Sequence, residues 1–220
     1  MSAAKPLENE LTTDEWKNII RDFNMLVGPT LIAFSGGEPL TRKDSMEIIK
    51  YAKECSNETF LFTNGTLVTE DNVSDIAKYI NKVQISMDGT TKDAHDAIRG
   101  RGSFDRTLSA LNLLRDKEIK ILISYCMIPD NLDDVNNNLV RFIDSLKIKN
   151  VQVGLSVVRK IGRWKKNCAG CKDYTLGELY PLLEKTIAKL YSRGWDAPAQ
   201  NRNLIKRNCT FGQRFVIDSI

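Results

Sequence analysis

The sequence predicts an α/β protein with a parallel sheet, and three observations carry that expectation. Apolar strands alternate with single amphipathic helices from one end of the chain to the other. The strands are apolar on both faces, as in a sheet covered by helices or closed into a barrel. Three successive strands run into polar, glycine-bearing turns: Gly36-Gly37-Glu38, Thr63-Asn64-Gly65 and Asp88-Gly89.

The elements follow in order. Residues 15–25 read as a helix, because Trp16, Ile19, Ile20, Phe23 and Leu26 fall at spacings of three and four. A strand over 31–34 comes next, then a helix over 44–54 with Met46, Ile49 and Ala52 or Lys53 near one face. A strand over 59–62 ends at Thr63-Asn64-Gly65. A helix over 70–80 leads to a strand over 83–87, ended by Asp88-Gly89. The helix over 104–117 carries the stripe Leu108, Leu111 and Leu114, and the strand over 119–127 stops at Pro129-Asp130-Asn131. A helix over 132–146, a strand over 151–158 and a helix over 176–192 complete five strands and six helices. Strands joined by single helices run parallel, since each crossover returns the chain in the same direction. That leaves a (β/α) barrel, complete or partial, or an open doubly wound sheet. The three turns favour the barrel, where strand C-termini share one rim and active sites sit. A doubly wound nucleotide-binding sheet would carry G-x-G-x-x-G after its first strand, and neither that motif nor a P-loop occurs.

With 220 residues, 42% apolar and 27% charged, the chain has the make-up of one ordinary globular core without a linker. A formal charge of +4 allows an anionic ligand but lacks the concentrated basic face that nucleic acid would want. The first residues have no apolar signal core, and no run approaches the roughly 20 apolar residues of a membrane span. The expectation is therefore a cytoplasmic protein with no nucleic-acid or membrane partner. Five cysteines, an odd number, read as thiols or metal ligands rather than a disulfide framework.

In the first turn, two glycines let the backbone approach a ligand closely. Glu38 adds a carboxylate acceptor, and Pro39 stiffens the exit and discourages further pairing.

Together these residues resemble a known family. Ser35-Gly36-Gly37-Glu38-Pro39-Leu40, Thr63-Asn64-Gly65, Gln84-Ile85-Ser86-Met87-Asp88-Gly89 and Arg99-Gly100-Arg101-Gly102-Ser103-Phe104 are similar in order and spacing to the radical S-adenosylmethionine superfamily. The closest look-alikes are its peptide- and protein-modifying members with a C-terminal SPASM extension. The resemblance implies that Gly36, Gly37 and Glu38 hold the methionyl ammonium of S-adenosylmethionine, a cation suited to carbonyls and a carboxylate. Pro39 would shape that turn, and Thr63 and Asn64 would line the neighbouring wall. Ser86 and Asp88 would reach the ribose or the methionyl carboxylate, and Leu155 would pack against adenine. Arg99 and Arg101 offer charges for the carboxylate, or form a solvated turn. Asn64 and Asp88, each before a glycine, are also ordinary turn residues.

The family builds its chemistry on a [4Fe–4S] cluster held by C-x-x-x-C-x-x-C, and no such spacing occurs here. The resemblance therefore implies a partial barrel that begins at its first helix, without its first strand. Residues 1–200 would form this core and 201–220 the opening of a truncated SPASM-like extension, with Cys209 ligating an auxiliary cluster in a longer parent. That parent would reductively cleave S-adenosylmethionine to a 5′-deoxyadenosyl radical and act on a peptide or protein, taking its electron from a flavodoxin or ferredoxin. This chain alone would not turn over. A non-catalytic module that keeps the cofactor- or peptide-binding surfaces is the alternative.

Cys168-Ala-Gly-Cys171 has metal or redox spacing, but two thiols alone complete neither a zinc nor a cluster site. Cys55 and Cys126 read as small buried residues. His95, the single histidine, lies in a polar helix start, Lys92–Asp96, and reads as a surface residue. The basic run Arg159-Lys160-Ile161-Gly162-Arg163-Trp164-Lys165-Lys166 is a solvated loop or an anchor for an acidic peptide. The missing strand would leave the edge of residues 31–34 open, to aggregate, dimerise or be covered by residues 1–12.

Overall fold

A computed structural model describes residues 10–149, 151–157, 176–195 and 214–219. Helix α1 (Thr13–Val27) opens on a capping box: the Thr12 amide donates to Glu15 Oε2 at 2.7 Å, and the Glu15 amide donates to Thr12 Oγ1 at 3.3 Å. Such a box satisfies two amide groups that the first helical turn leaves unpaired. Strand β1 (Leu31–Gly36) leads through a 3-10 turn, Pro39–Thr41, to α2 (Ser45–Glu54). Then come β2 (Glu58–Thr63), α3 (Glu70–Tyr79), β3 (Lys82–Ser86), α4 (Lys92–Arg99), α5 (Ser103–Leu114) and β4 (Lys120–Met127). The chain continues with α6 (Leu132–Leu146), β5 (Val151–Val157), α7 (Leu176–Ser192) and β6 (Arg214–Ser219).

Strand order in the sheet is β5-β4-β3-β2-β1-β6. β1 pairs in parallel with β2 and with β6, and β2 pairs in parallel with β3. The predicted parallel α/β architecture is present, with two corrections. Helix α4, whose start at Lys92–Asp96 reads as helical in the sequence but is not counted among the six predicted helices, is opened by the Thr91 hydroxyl, which accepts from the Ala94 amide, and stopped at Gly100. A sixth strand, β6, takes the edge of β1 in the register Leu31↔Arg214 to Gly36↔Ser219. The edge expected to be open, or covered by residues 1–12, is thus filled from the other end of the chain. Pairing there satisfies the row of amides and carbonyls that an edge leaves exposed.

The chain folds as two compact units. One comprises Met1–Ser86, Arg106–Leu122 and Cys209–Ile220; the other comprises Met87–Asp105 and Ile123–Asn208. In the first, the strand registers align Phe34, Leu61 and Val83 in one fully buried row. The adjacent row, Ala33, Phe60 and Lys82, falls on the opposite face, where Phe60 and Lys82 are half-buried. Burying each large apolar side chain of the inner row contributes about 1.5–3 kcal/mol. In the second unit, α7 packs on β5 and α6. Val135, Leu139 and Ile143 of α6 and Leu183, Ile187 and Leu190 of α7 are all buried. Among the described residues, no helix is long and apolar enough to cross a membrane.

Candidate functional site

The end of β1 is shaped by Gly36, whose φ of +133° is a backbone conformation that side-chain-bearing residues rarely adopt. Gly36 and Gly37 are exposed, whereas Glu38 beside them is only 4% exposed. Glu38 is the N-cap of the 3-10 turn, with Pro39 as its first residue, and Oε1 accepts the Leu40 amide at 3.3 Å. Its backbone carbonyl accepts both the amide (3.1 Å) and the hydroxyl (2.6 Å) of Thr41.

The carboxylate of Glu38 reaches across to the end of β2. Oε1 accepts the Thr63 hydroxyl at 2.8 Å, and Oε2 accepts the Asn64 amide at 2.7 Å. The Thr63 oxygen in turn accepts the Gly65 amide at 3.0 Å. The Asn64 side chain belongs to its own turn, where Oδ1 accepts the amide (2.8 Å) and hydroxyl (2.6 Å) of Thr66. The Asn64 carbonyl accepts the Thr107 hydroxyl of α5 at 2.9 Å. Gly65 has φ of +78°, and a Cβ there would lie 3.3 Å from Ala110 Cβ. The first two predicted turns are therefore one hydrogen-bonded assembly. Its exposed side, two glycine backbones next to a carboxylate, is rich in acceptors and suits an ammonium group rather than a phosphate. Ser86, the last residue of β3, is half-buried.

In the second unit, Asp88 is 5% exposed and held at four points. Oδ2 accepts Arg99 Nε at 2.6 Å, and Oδ1 accepts the Cys126 amide at 3.2 Å. Its carbonyl accepts Asn131 Nδ2 at 2.8 Å, and its amide donates to His95 Nδ1 at 3.3 Å. Asn131, fully buried, also donates from Nδ2 to the Cys126 carbonyl at 2.9 Å, so it ties the two strand exits together. Arg99 is thus the partner of Asp88, whereas Arg101 is exposed.

His95 is a correction: it is fully buried, not on the surface. Because Nδ1 accepts an amide proton, the ring proton sits on Nε2, which has no hydrogen-bond partner among the described residues and lies in a ring that meets Phe104 edge-on at 5.8 Å. Burial, reinforced by the Arg99 charge, lowers its pKa to about 4 and keeps the ring neutral. Asp96 gathers the start of α5, accepting the amides of Gly102 (2.7 Å) and Phe104 (2.8 Å) and the Ser103 hydroxyl (3.1 Å). These bonds, the Phe104 amide foremost, pull its pKa down to about 2.

Cys126 and Cys55 are half-buried rather than buried. Burial and then the Asp88 charge push the Cys126 thiol up, so it stays protonated. Leu155 is fully buried on β5, on the strand face opposite half-buried Gln152 and Ser156. Among the described residues, no group of three or more His, Cys, Asp or Glu side chains could hold a metal ion, so they offer no ligand set for an iron–sulfur cluster. Cys168, Cys171, Cys209 and the basic run 159–166 lie outside the described residues.

Asn131, Thr107, His95 and Asp96 were not predicted as parts of these sites. Asn131 carried a signal, standing at a predicted strand end after Pro129; Thr107 carried none, since a threonine inside a helix has no distinctive spacing.

The Radical SAM superfamily model matches residues 2–142. The chain is 38% identical over 128 residues to the AdoMet-dependent heme synthase of Methanosarcina barkeri, covering 57% of this chain and 36% of that protein. It is 32% identical over 149 residues to the PqqA peptide cyclase of Bradyrhizobium diazoefficiens, covering 65% and 39%. Among solved structures, Streptococcus suis SuiB bound to S-adenosylmethionine superposes with a TM-score of 0.71 at 19% identity, over 90% of this chain and 45% of that one. The same protein bound to precursor peptide SuiA gives 0.68. The chain thus has the partial (β/α) barrel of those structures, and it spans less than half the length of each of these proteins.

Proposed function

The chain belongs to the radical SAM superfamily, and from that premise we propose that it supplies the S-adenosylmethionine-holding part of an enzyme that modifies a peptide or protein. The observation that carries this reading is Glu38: a nearly buried carboxylate, fixed by Thr63 and Asn64, next to two exposed glycines. Gly36, Gly37 and Glu38 take the methionyl ammonium, Pro39 sets the turn, and Thr63 and Asn64 form the wall beside it. Ser86 and Asp88, the latter with Arg99 against it, take the ribose or the methionyl carboxylate. Leu155 backs the strand at the adenine. When bound in such enzymes, a [4Fe–4S] cluster supplies the electron for S–C cleavage. The described residues hold no ligand set for it, so the role assigned here stops at binding and orienting the cofactor.

Equilibrium dialysis of the full chain with labelled S-adenosylmethionine tests this. Glu38→Gln keeps the shape and removes the charge, and the expected result is about tenfold weaker binding or more. Unchanged affinity removes the reading.

The peptide substrate is supported by the PqqA peptide cyclase and SuiB likenesses, and by the basic run 159–166. The higher identity to a heme synthase favours a second reading, a haem precursor. A Soret shift on titration with an iron porphyrin, together with no response to an acidic peptide, would select the second. An acidic peptide whose binding is lost on charge reversal of Arg159 and Arg163 would select the first.

A further inference from the structure

We propose that Thr63 is the positioning residue of this site, holding Glu38 ionised and in one orientation through its hydroxyl. The inference rests on the reading of Glu38 as the ammonium-binding carboxylate and adds what keeps that carboxylate fit for the task.

The geometry is a directed relay. The Gly65 amide donates to Thr63 Oγ1 at 3.0 Å, so that oxygen already serves as an acceptor. Its single proton is directed to Glu38 Oε1, 2.8 Å away. An amide donating into a hydroxyl polarises the O–H and makes it a stronger donor to the next acceptor. The second carboxylate oxygen takes the Asn64 amide at 2.7 Å, so both oxygens are pinned and the plane of the carboxylate is set. Glu38 and Thr63 are 4% and 3% exposed, so water cannot replace the hydroxyl cheaply. The relay starts in a fixed frame. Gly65 packs against α5 so closely that an added Cβ would meet Ala110, and the Asn64 carbonyl is tied to Thr107.

Hydrogen bonds to an ionised carboxylate favour the ionised form. Removing the hydroxyl should therefore raise the Glu38 pKa and let the carboxylate turn away from the glycines. The Leu40 and Asn64 amides still donate to Glu38, while the Gly65 amide loses its acceptor. Thr63 touches the cofactor site through Glu38 and acts on the ammonium only by way of that group.

The test compares Thr63→Val, which keeps shape and loses the hydroxyl, with Thr63→Ser, which keeps the hydroxyl. Thr63→Ala serves if the valine variant does not fold. The first readout needs no cofactor: the Glu38 carboxyl resonance, identified by its absence in Glu38→Gln, is titrated by carbon-13 NMR. Thr63→Val and Thr63→Ala should titrate at higher pH than the parent chain, and Thr63→Ser should return to the parent value. The second readout is S-adenosylmethionine affinity against pH. Loss of the hydroxyl should weaken binding about tenfold and move its acid limb to higher pH, again rescued by serine. A parent-like Glu38 titration in Thr63→Val overturns the inference, as does a serine variant that behaves like valine. If the Glu38 titration shifts as expected while Glu38→Gln leaves affinity unchanged, the relay stands and the cofactor reading fails.

Discussion

Two strand-end carboxylates, Glu38 and Asp88, are almost equally buried yet held in opposite ways. The three described hydrogen bonds to Glu38 come from uncharged donors, one hydroxyl and two amides. Asp88 is an ion pair with Arg99 Nε at 2.6 Å, the side chains 7% exposed at Asp88 and 17% at Arg99. The uncharged donors cradle and orient the Glu38 carboxylate without adding a charge of their own. The Arg99 guanidinium neutralises Asp88 and makes the pair a brace. The first arrangement suits a residue that meets a cationic ligand; in the second, Asp88 also braces α4 against the strand ends through Arg99.

The sharpest way to break this comparison is to remove each partner in turn. Arg99→Leu leaves the Asp88 charge buried without its partner, and should cost about 3–5 kcal/mol of stability in chemical denaturation. Adding Asp88→Asn should recover much of it. If Arg99→Leu costs no more than Thr63→Val, the contrast between brace and cradle is lost. The glycines of the two turns separate next. A Cβ on Gly89 would lie 2.4 Å from the His95 backbone nitrogen and 2.8 Å from the Ala94 carbonyl carbon, so Gly89→Ala must push the start of α4 away and should cost about 3 kcal/mol. Gly65→Ala meets Ala110 Cβ at 3.3 Å, its tightest contact, but must hold φ near +78°, and should cost about 1–2 kcal/mol. Thr63→Val should cost about 2 kcal/mol, because it removes a hydrogen bond to a charged group and leaves the Gly65 amide without its acceptor. Thermal or urea unfolding ranks all four.

Acid sharpens the contrast further, because His95, which accepts the Asp88 amide, and Asp96, one residue on, both titrate away from their ordinary values. His95 has a folded pKa of about 4, below its ordinary 6.5, so its contribution is complete above pH 6.5, where both states are neutral. Between pH 6.5 and 4 only the unfolded chain takes up the proton, and stability should fall by up to about 1.4 kcal/mol per pH unit. Asp96, lowered to about 2, contributes fully above about pH 4 and loses its contribution as pH falls through 2. A His95→Gln variant should flatten the upper limb and leave the lower one. A slope between pH 6.5 and 4 that survives that substitution would assign the effect to another group.

Much of the fold was legible because its signals are local. The stripe of Leu108, Leu111 and Leu114 and the turns after residues 34, 62 and 87 marked elements without knowledge of their neighbours. Helix α4 was not counted because eight polar-rich residues make a weak stripe, although Thr91 and Gly100 framed it. The Gly36–Pro39 turn and Thr63-Asn64 were found as separate motifs; that Glu38 joins them depends on the register of β1 against β2, which spacing does not encode. His95 was misplaced for a related reason. Its sequence neighbours are charged, but the groups that bury it, Asp88 and Phe104, come from the ends of other elements. That Arg99 pairs with Asp88 is likewise a fact of three dimensions.

The pairing of β6 with β1 has a kinetic consequence. Leu31 and Arg214 are far apart in sequence, so this pairing waits until all the residues between them have been made. Closing so long a loop makes the step slow compared with the β1–β2 and β2–β3 pairings, whose partners are near in sequence. While it waits, that side of β1 is a template for any extended chain nearby, and chaperone demand should peak at this stage. Pulse-labelled hydrogen exchange would show it directly: the amides of β2 and β3 protected early, and those of β6 last.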